Sequence, residues 1–206
     1  MMHASDSRIS QRFARIFSAI LSPPMIALGT VIVFAFFSPI GTGLLIPWQS
    51  FFLGLVFIVI GPILPLSILV ARGRLTVDVK NRRDRPLLYL AAILVYSTGA
   101  LIALFFMNHT MMVIAIAYVG VTTAIAVVSL WWKVSAHTAG VAGPITGLIW
   151  VYGIIVIPFM LLALVVSWAR WYQNLHSVKQ LVGGIFIAIG VTTIVYWVLW
   201  GPLMLF

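Results

Sequence analysis

Long apolar runs recur along this chain, covering residues 20–37, 48–71, 86–106, 111–132 and 178–202, with a further 33-residue interval between His137 and Ala169. A helix needs about 20 such residues to cross the hydrocarbon core of a bilayer. Of the 206 residues, 63% are apolar and 7% charged, and mean hydropathy is +1.19, which no water-soluble domain of this length tolerates on its surface. Only helices and closed barrels satisfy their backbone in lipid, and these runs lack the alternation of barrel strands. The expected fold is all-α: one polytopic membrane helical bundle over residues 1–206, with six to seven transmembrane helices. Cysteine is absent, which excludes disulfides and thiolate metal sites.

Before the first run, Arg8, Arg12 and Arg15 fall on one helical face and Ile9, Phe13, Ile16 and Phe17 on the other. That pattern predicts an interfacial helix within residues 1–19, although a tail that obeys the positive-inside bias has the same charges. Pro23 and Pro24 predict a bend early in the first span, and Pro62 and Pro65 interrupt the second. The turn at residues 107–110 is short enough to make its flanking spans an antiparallel hairpin. The 33-residue interval is too long for one upright helix, and Gly153 near its middle predicts two short helices, 138–152 and 155–169. Two passes there return Arg170 to the level of His137, for a total near seven.

In this topology all twelve Lys and Arg residues lie on one side: the N-terminal tail, residues 72–85, Lys133, and residues 170–179. The positive-inside bias makes that side cytoplasmic, so a multi-pass protein of the cell membrane is expected, its N-terminus inside. Against the twelve stand three acids, Asp6, Asp78 and Asp84. Enzymes that hold Mg²⁺ against a diphosphate need several carboxylates, so aspartate-rich membrane prenyltransferases and alcohol phosphotransferases fit poorly. No metal or cofactor is expected; the balance favours a site that binds an anion directly through Arg and Lys. Nucleic acid is not an expected partner despite the basic pI, because the cations lie beside the bilayer.

Three polar patches converge at that face: residues 78–86, 133–140 and 170–180. Arg85 and Arg170 can give bidentate donors to a phosphate, with Lys80 or Arg82 as a further cation. Ser135 and its neighbouring N–H groups begin a helix, where free donors favour an anion. The basic segment 72–85 also suits a loop resting on anionic lipid, and Ser135 with His137 also suits a plain helix cap. Gly183, Gly184 and Gly190 read as sites of close helix packing.

The order and spacing of these residues carry a resemblance. Arg170-x5-His176-x3-Gln180 resembles the third signature of the type 2 phosphatidic acid phosphatase (lipid phosphate phosphatase) superfamily, Ser-Arg-x5-His-x3-Asp. Val134-Ser135-Ala136-His137 resembles its second, Pro-Ser-Gly-His, and Arg85-Pro86 the end of its first, Lys-x6-Arg-Pro. The match covers a core of residues 78–190. It departs at Asp78, where the first signature has lysine; at Val134, Ala136 and Ala169; and at Gln180, where the third has aspartate.

The resemblance implies a membrane phosphatase that works without metal on a lipid phosphate, polyprenyl (di)phosphate or phosphatidate-type. It implies His176 as the nucleophile that forms a phosphohistidine and His137 as the acid that protonates the leaving group. Gln180, one helical turn beyond His176, is positioned for its carbonyl to accept the ring Nδ1 proton, but it cannot stabilise an imidazolium as a carboxylate would. The same residues also suit a catalytically silent protein that binds or moves lipid phosphates, or a phosphotransferase that uses the same phosphohistidine.

Overall fold

A computed structural model describes residues 4–76, 79 and 85–201, with side chains from residue 11 onward. Among the described residues all regular structure is helical, in the order α1 (Ala4–Ile20), α2 (Pro23–Phe37), α3 (Pro47–Gly54), α4 (Leu64–Ala71), α5 (Arg85–Phe105), α6 (His109–Val128), α7 (Ala136–Tyr152), α8 (Leu161–Tyr172) and α9 (Val178–Leu199). Among the described residues six stretches are long and apolar enough to cross a membrane, so the chain is an all-α polytopic membrane bundle.

The longest of these, Ala136–Tyr172, folds back on itself. Its 37 residues would extend roughly 55 Å as one helix, far beyond a core of about 30 Å. Gly153 breaks it at φ +75°, a conformation costly for any residue with a Cβ, and a 3₁₀ segment, Gly153–Met160, leads back into α8. His137 at the start and Arg170 near the end therefore line one cavity. Tyr152, at the reversal, donates its hydroxyl to the Phe37 carbonyl at 3.0 Å on the opposite face. Six candidate spans are thus found among the described residues, within the six to seven that the lengths of the apolar runs predict.

The prolines act differently from a simple bend. Pro23 and Pro24 fall in the first turn of α2, where a missing N–H costs nothing, and the break lies just before them at Leu21 and Ser22. Pro62 sits in a 3₁₀ turn, Gly61–Ile63, that follows a π-helical stretch, Leu55–Ile60, so α3 and α4 are two half-spans joined by irregular backbone. α4 buries none of its residues.

Two apolar clusters form the core. Phe34, Met111, Ile114, Tyr196 and Trp200 pack toward the far face, and Val134, Val141, Ile145 and Val166 toward the face of the polar patches. α7 and α9 approach closely at Gly184, where an added Cβ would lie 2.5 Å from the Ser135 carbonyl oxygen. Gly183 likewise abuts Trp132, but Gly190 faces open space, so its absent side chain serves no close packing. α1 forms as a helix and leans on α8: Gln173 Nε2 donates to Ala14 O at 3.2 Å, while Phe13, Ile16, Phe17 and Ile20 face outward.

Candidate functional site

A cavity of about 670 Å³ opens at the face where the polar patches meet. Arg85, Lys133, His137, Arg170 and His176 line one part of it. Pro62, Leu66 and Val70 near and on α4, with Leu88, Ala92, Tyr96 and Ile125 on α5 and α6, line the rest. The chamber is thus cationic at one end and apolar along its depth.

Each polar residue is held by its local backbone. Arg85 opens α5, is 9% exposed, and grips the Val79 carbonyl with Nε at 3.1 Å and Nη2 at 2.8 Å. Arg170 lies in the last turn of α8, where the helix dipole favours a cation, and its Nη1 reaches Ser18 Oγ at 3.4 Å. Beyond it Asn174 takes a left-handed conformation, φ +55°, and Leu175 N–H caps the Arg170 carbonyl at 3.1 Å. This tight stop turns Leu175 and His176 back toward the cavity. Lys133, in the connection between α6 and α7, donates from Nζ to the Leu175 carbonyl at 3.1 Å.

His176 is 9% exposed. Burial first, and then the charges of Lys133, Arg170 and Arg85, lower its pKa from 6.5 to about 4; the nearby Gln180 amide opposes this. The imidazole is therefore neutral, with a lone pair, at ordinary pH. Its Nδ1 is buried and meets no hydrogen-bond partner among the described residues. The Gln180 side-chain oxygen instead accepts the Ser177 N–H at 3.1 Å, while Gln180 N–H points to Ser177 Oγ at 3.4 Å. This is a capping box that starts α9, and Ser177-Val178-Lys179-Gln180 has its sequence signature, Ser-x-x-Gln.

Ser135 is fully buried and caps α7, its Oγ accepting from Thr138 N–H at 3.4 Å. Its own amide donates to the Gln180 carbonyl at 3.1 Å. Of the site residues read from the sequence, Arg85, His137, Arg170 and His176 line the cavity; Ser135 and Gln180 do not line it but join its two histidine-bearing segments. Lys80 and Arg82 lie outside the described residues. Lys133 joins them at the cavity, a residue not among those expected from the sequence; its place two residues before Ser135, in a polar interval between apolar runs, is the signal that marks it.

Among the described residues no group of three or more His, Asp or Glu side chains comes together. All three acids of the chain fall outside the described side chains, so every described charge at the cavity is positive. Such a chamber can hold an anion on its cationic rim, present a neutral imidazole to it, and keep an apolar tail along its depth. No protein-family model, no curated protein and no solved structure matches the chain.

Proposed function

We propose that this chain is a divergent member of the type 2 phosphatidic acid phosphatase superfamily, an integral membrane phosphatase that hydrolyses a lipid phosphate or diphosphate. The observation that carries this reading is the shared cavity. Two imidazoles, His137 and His176, and three cations, Arg85, Lys133 and Arg170, line one chamber whose remaining wall is largely apolar. An amphiphile with an anionic head matches both ends of it.

In this reading Arg85 and Arg170 neutralise the phosphoryl oxygens, where charge stabilisation and positioning supply most of the rate. A ring nitrogen of neutral His176 attacks phosphorus as the bond to the lipid oxygen breaks, and His137 gives its proton to that leaving oxygen. Water then attacks the phosphohistidine and passes a proton to His137, which releases phosphate and restores both rings. Arginine and lysine, not a bound cation, meet the negative charge. The described basic residues, Arg12, Arg15, Arg72, Arg74, Arg85, Lys133, Arg170 and Lys179, fall in segments at the cavity's end of the bundle, which supports a cytoplasmic active site in a cell membrane.

The test is phosphate release from polyprenyl and phosphatidate-type phosphates by purified protein in EDTA. Turnover abolished by His176→Ala and strongly reduced by His137→Ala is expected; turnover that survives His176→Ala overturns the mechanism. One observation favours a second reading, a lipid-phosphate-binding protein without efficient chemistry: Gln180 is neutral and its carbonyl oxygen is engaged in capping α9. Tight binding of lipid phosphate without turnover supports that alternative.

A further inference from the structure

The connection between α6 and α7 is pinned on both sides of Lys133. Trp132 covers Gly183, where an added Cβ would come 2.7 Å from its ring. Val134 and Ser135 are fully buried, and the Ser135 amide is tied to Gln180 O. With its backbone held at that point, the half-buried Lys133 side chain extends into the cavity wall beside Arg85, His137, Arg170 and His176. Its Nζ reaches the carbonyl of Leu175, the residue next to His176, at 3.1 Å.

The three cations of the rim differ in kind. Arg85 spends two donors on Val79 O, and Arg170 reaches toward Ser18 on α1, so both guanidinium groups are anchored to the scaffold around the cavity. Lys133 carries a compact charge, and its Nζ bonds to the segment that bears His176. Its effect on the His176 ring is the largest of the three charges. Lys133 lines the cavity together with Arg85, Arg170 and His176, so an anion held at that end meets its ammonium.

We propose that Lys133 is a direct phosphate ligand of this site, placing its ammonium on an oxygen of the phosphoryl group that faces His176. The proposal rests on reading the cavity as a lipid phosphate site and adds to it a residue and a role. Because the same ammonium touches Leu175 O, a bound phosphate and the His176 segment are positioned by one group.

The experiment uses the full-length protein in detergent, with inorganic phosphate and orthovanadate as probes and Lys133→Gln, Lys133→Met and Lys133→Arg as variants. Glutamine keeps an N–H for the Leu175 carbonyl and loses the charge; methionine loses both; arginine keeps both. Loss of one charge-assisted contact corresponds to roughly ten- to a hundredfold weaker binding of either probe. That loss is expected in the Gln and Met variants, with a matching rise in KM for lipid phosphate, and recovery in the Arg variant. Wild-type affinity in Lys133→Gln overturns the proposal, since the hydrogen bond alone would then suffice. The wild type gives a second readout that needs no variant. The chain has three lysines, Lys80, Lys133 and Lys179, so ¹³C-methylated protein should show the Lys133 signal moving on phosphate addition; a stationary signal at saturation also overturns it. Turnover with unaltered anion affinity in Lys133→Gln removes Lys133 alone. Lys133-dependent anion binding without turnover removes the phosphatase reading and leaves this one standing.

Discussion

The amide of Ser135 donates to the carbonyl of Gln180 at 3.1 Å, joining two segments 45 positions apart in the chain. Two residues after the first is His137, and four before the second is His176. One backbone hydrogen bond thus forms the seam between the two halves of the candidate site. Thr138 reinforces it, its hydroxyl lying 3.1 Å from both Ser135 O and Leu181 O. Inside a bundle, where competing water is scarce, such a bond sets position more firmly than it would at a wet surface.

The seam depends on Gly184. A Cβ there would lie 2.5 Å from Ser135 O and 2.6 Å from Thr138 Oγ1, so α9 must retreat from α7 to admit one. Gly184→Ala is expected to lower stability by about 1–3 kcal/mol, the usual cost of overpacking. Turnover should fall by more than the folded fraction does, because His137 and His176 separate. A melting curve in detergent with a parallel activity assay checks this; full activity in the folded variant would count against the seam as the element that sets the site.

His176 gives the stability a pH dependence whose sign follows from its lowered pKa. Between about pH 6.5 and about 4 the unfolded chain binds a proton at this ring that the folded chain does not. Stability therefore falls as pH drops through that window and levels off below it. The wild type should lose melting temperature from pH 7 to about 4 more steeply than His176→Gln, which has no titrating group here. A saturating anion should flatten the wild-type curve, since neutralising Lys133, Arg170 and Arg85 lets the ring pKa rise. Parallel pH profiles of the two proteins would show that His176 is not the group responsible.

What the sequence makes legible is what long-range physics imposes on every membrane chain. Run length against bilayer thickness gives the passages, Gly153 in an over-long run gives the reversal, and Ser135 before an apolar helix gives a cap. The irregular backbone between α3 and α4 is not readable in the same way. Pro62 and Pro65 forecast a kink, but whether it resolves as π or 3₁₀ turns depends on packing against α2 and α5. Lys133 is hidden for a related reason: one lysine near a helix start looks like an interfacial cation until tertiary structure brings Leu175 to it. The Ser177–Gln180 box was readable from spacing alone, and it competes with the use of the Gln180 oxygen as a partner for His176.

α4 is the wall that a lipid tail would press against. It buries no residue, yet Leu66, Ser67, Val70 and Ala71 line the cavity, and it joins α3 through irregular turns. An element with so few buried contacts opens at low cost. Leu66→Trp should fill the apolar depth without touching the cationic rim. KM for a long-chain lipid phosphate is then expected to rise roughly tenfold, about the effect of one or two misplaced methylenes in an apolar pocket. Turnover of a short, water-soluble phosphate ester should stay near wild type. Equal effects on both substrates would place the tail elsewhere.

Gln180→Asp separates the two functional readings. The position is the third residue of α9, where a carboxylate is favoured by the helix dipole, and it lies one turn after His176. A negative charge there opposes Lys133, Arg170 and Arg85, so the His176 pKa should climb from about 4 by roughly one unit or more. The carboxylate would also stabilise the cationic ring of a phosphohistidine as it forms. If the wild type is a slow phosphatase, kcat should rise several-fold in this variant at nearly constant KM, and the ring titration followed by NMR should shift with it. If the wild type only binds, turnover should appear where there was none, with affinity for inorganic phosphate little changed. A raised ring pKa with no gain in turnover would mean that the imidazole of His176 is not the group that attacks.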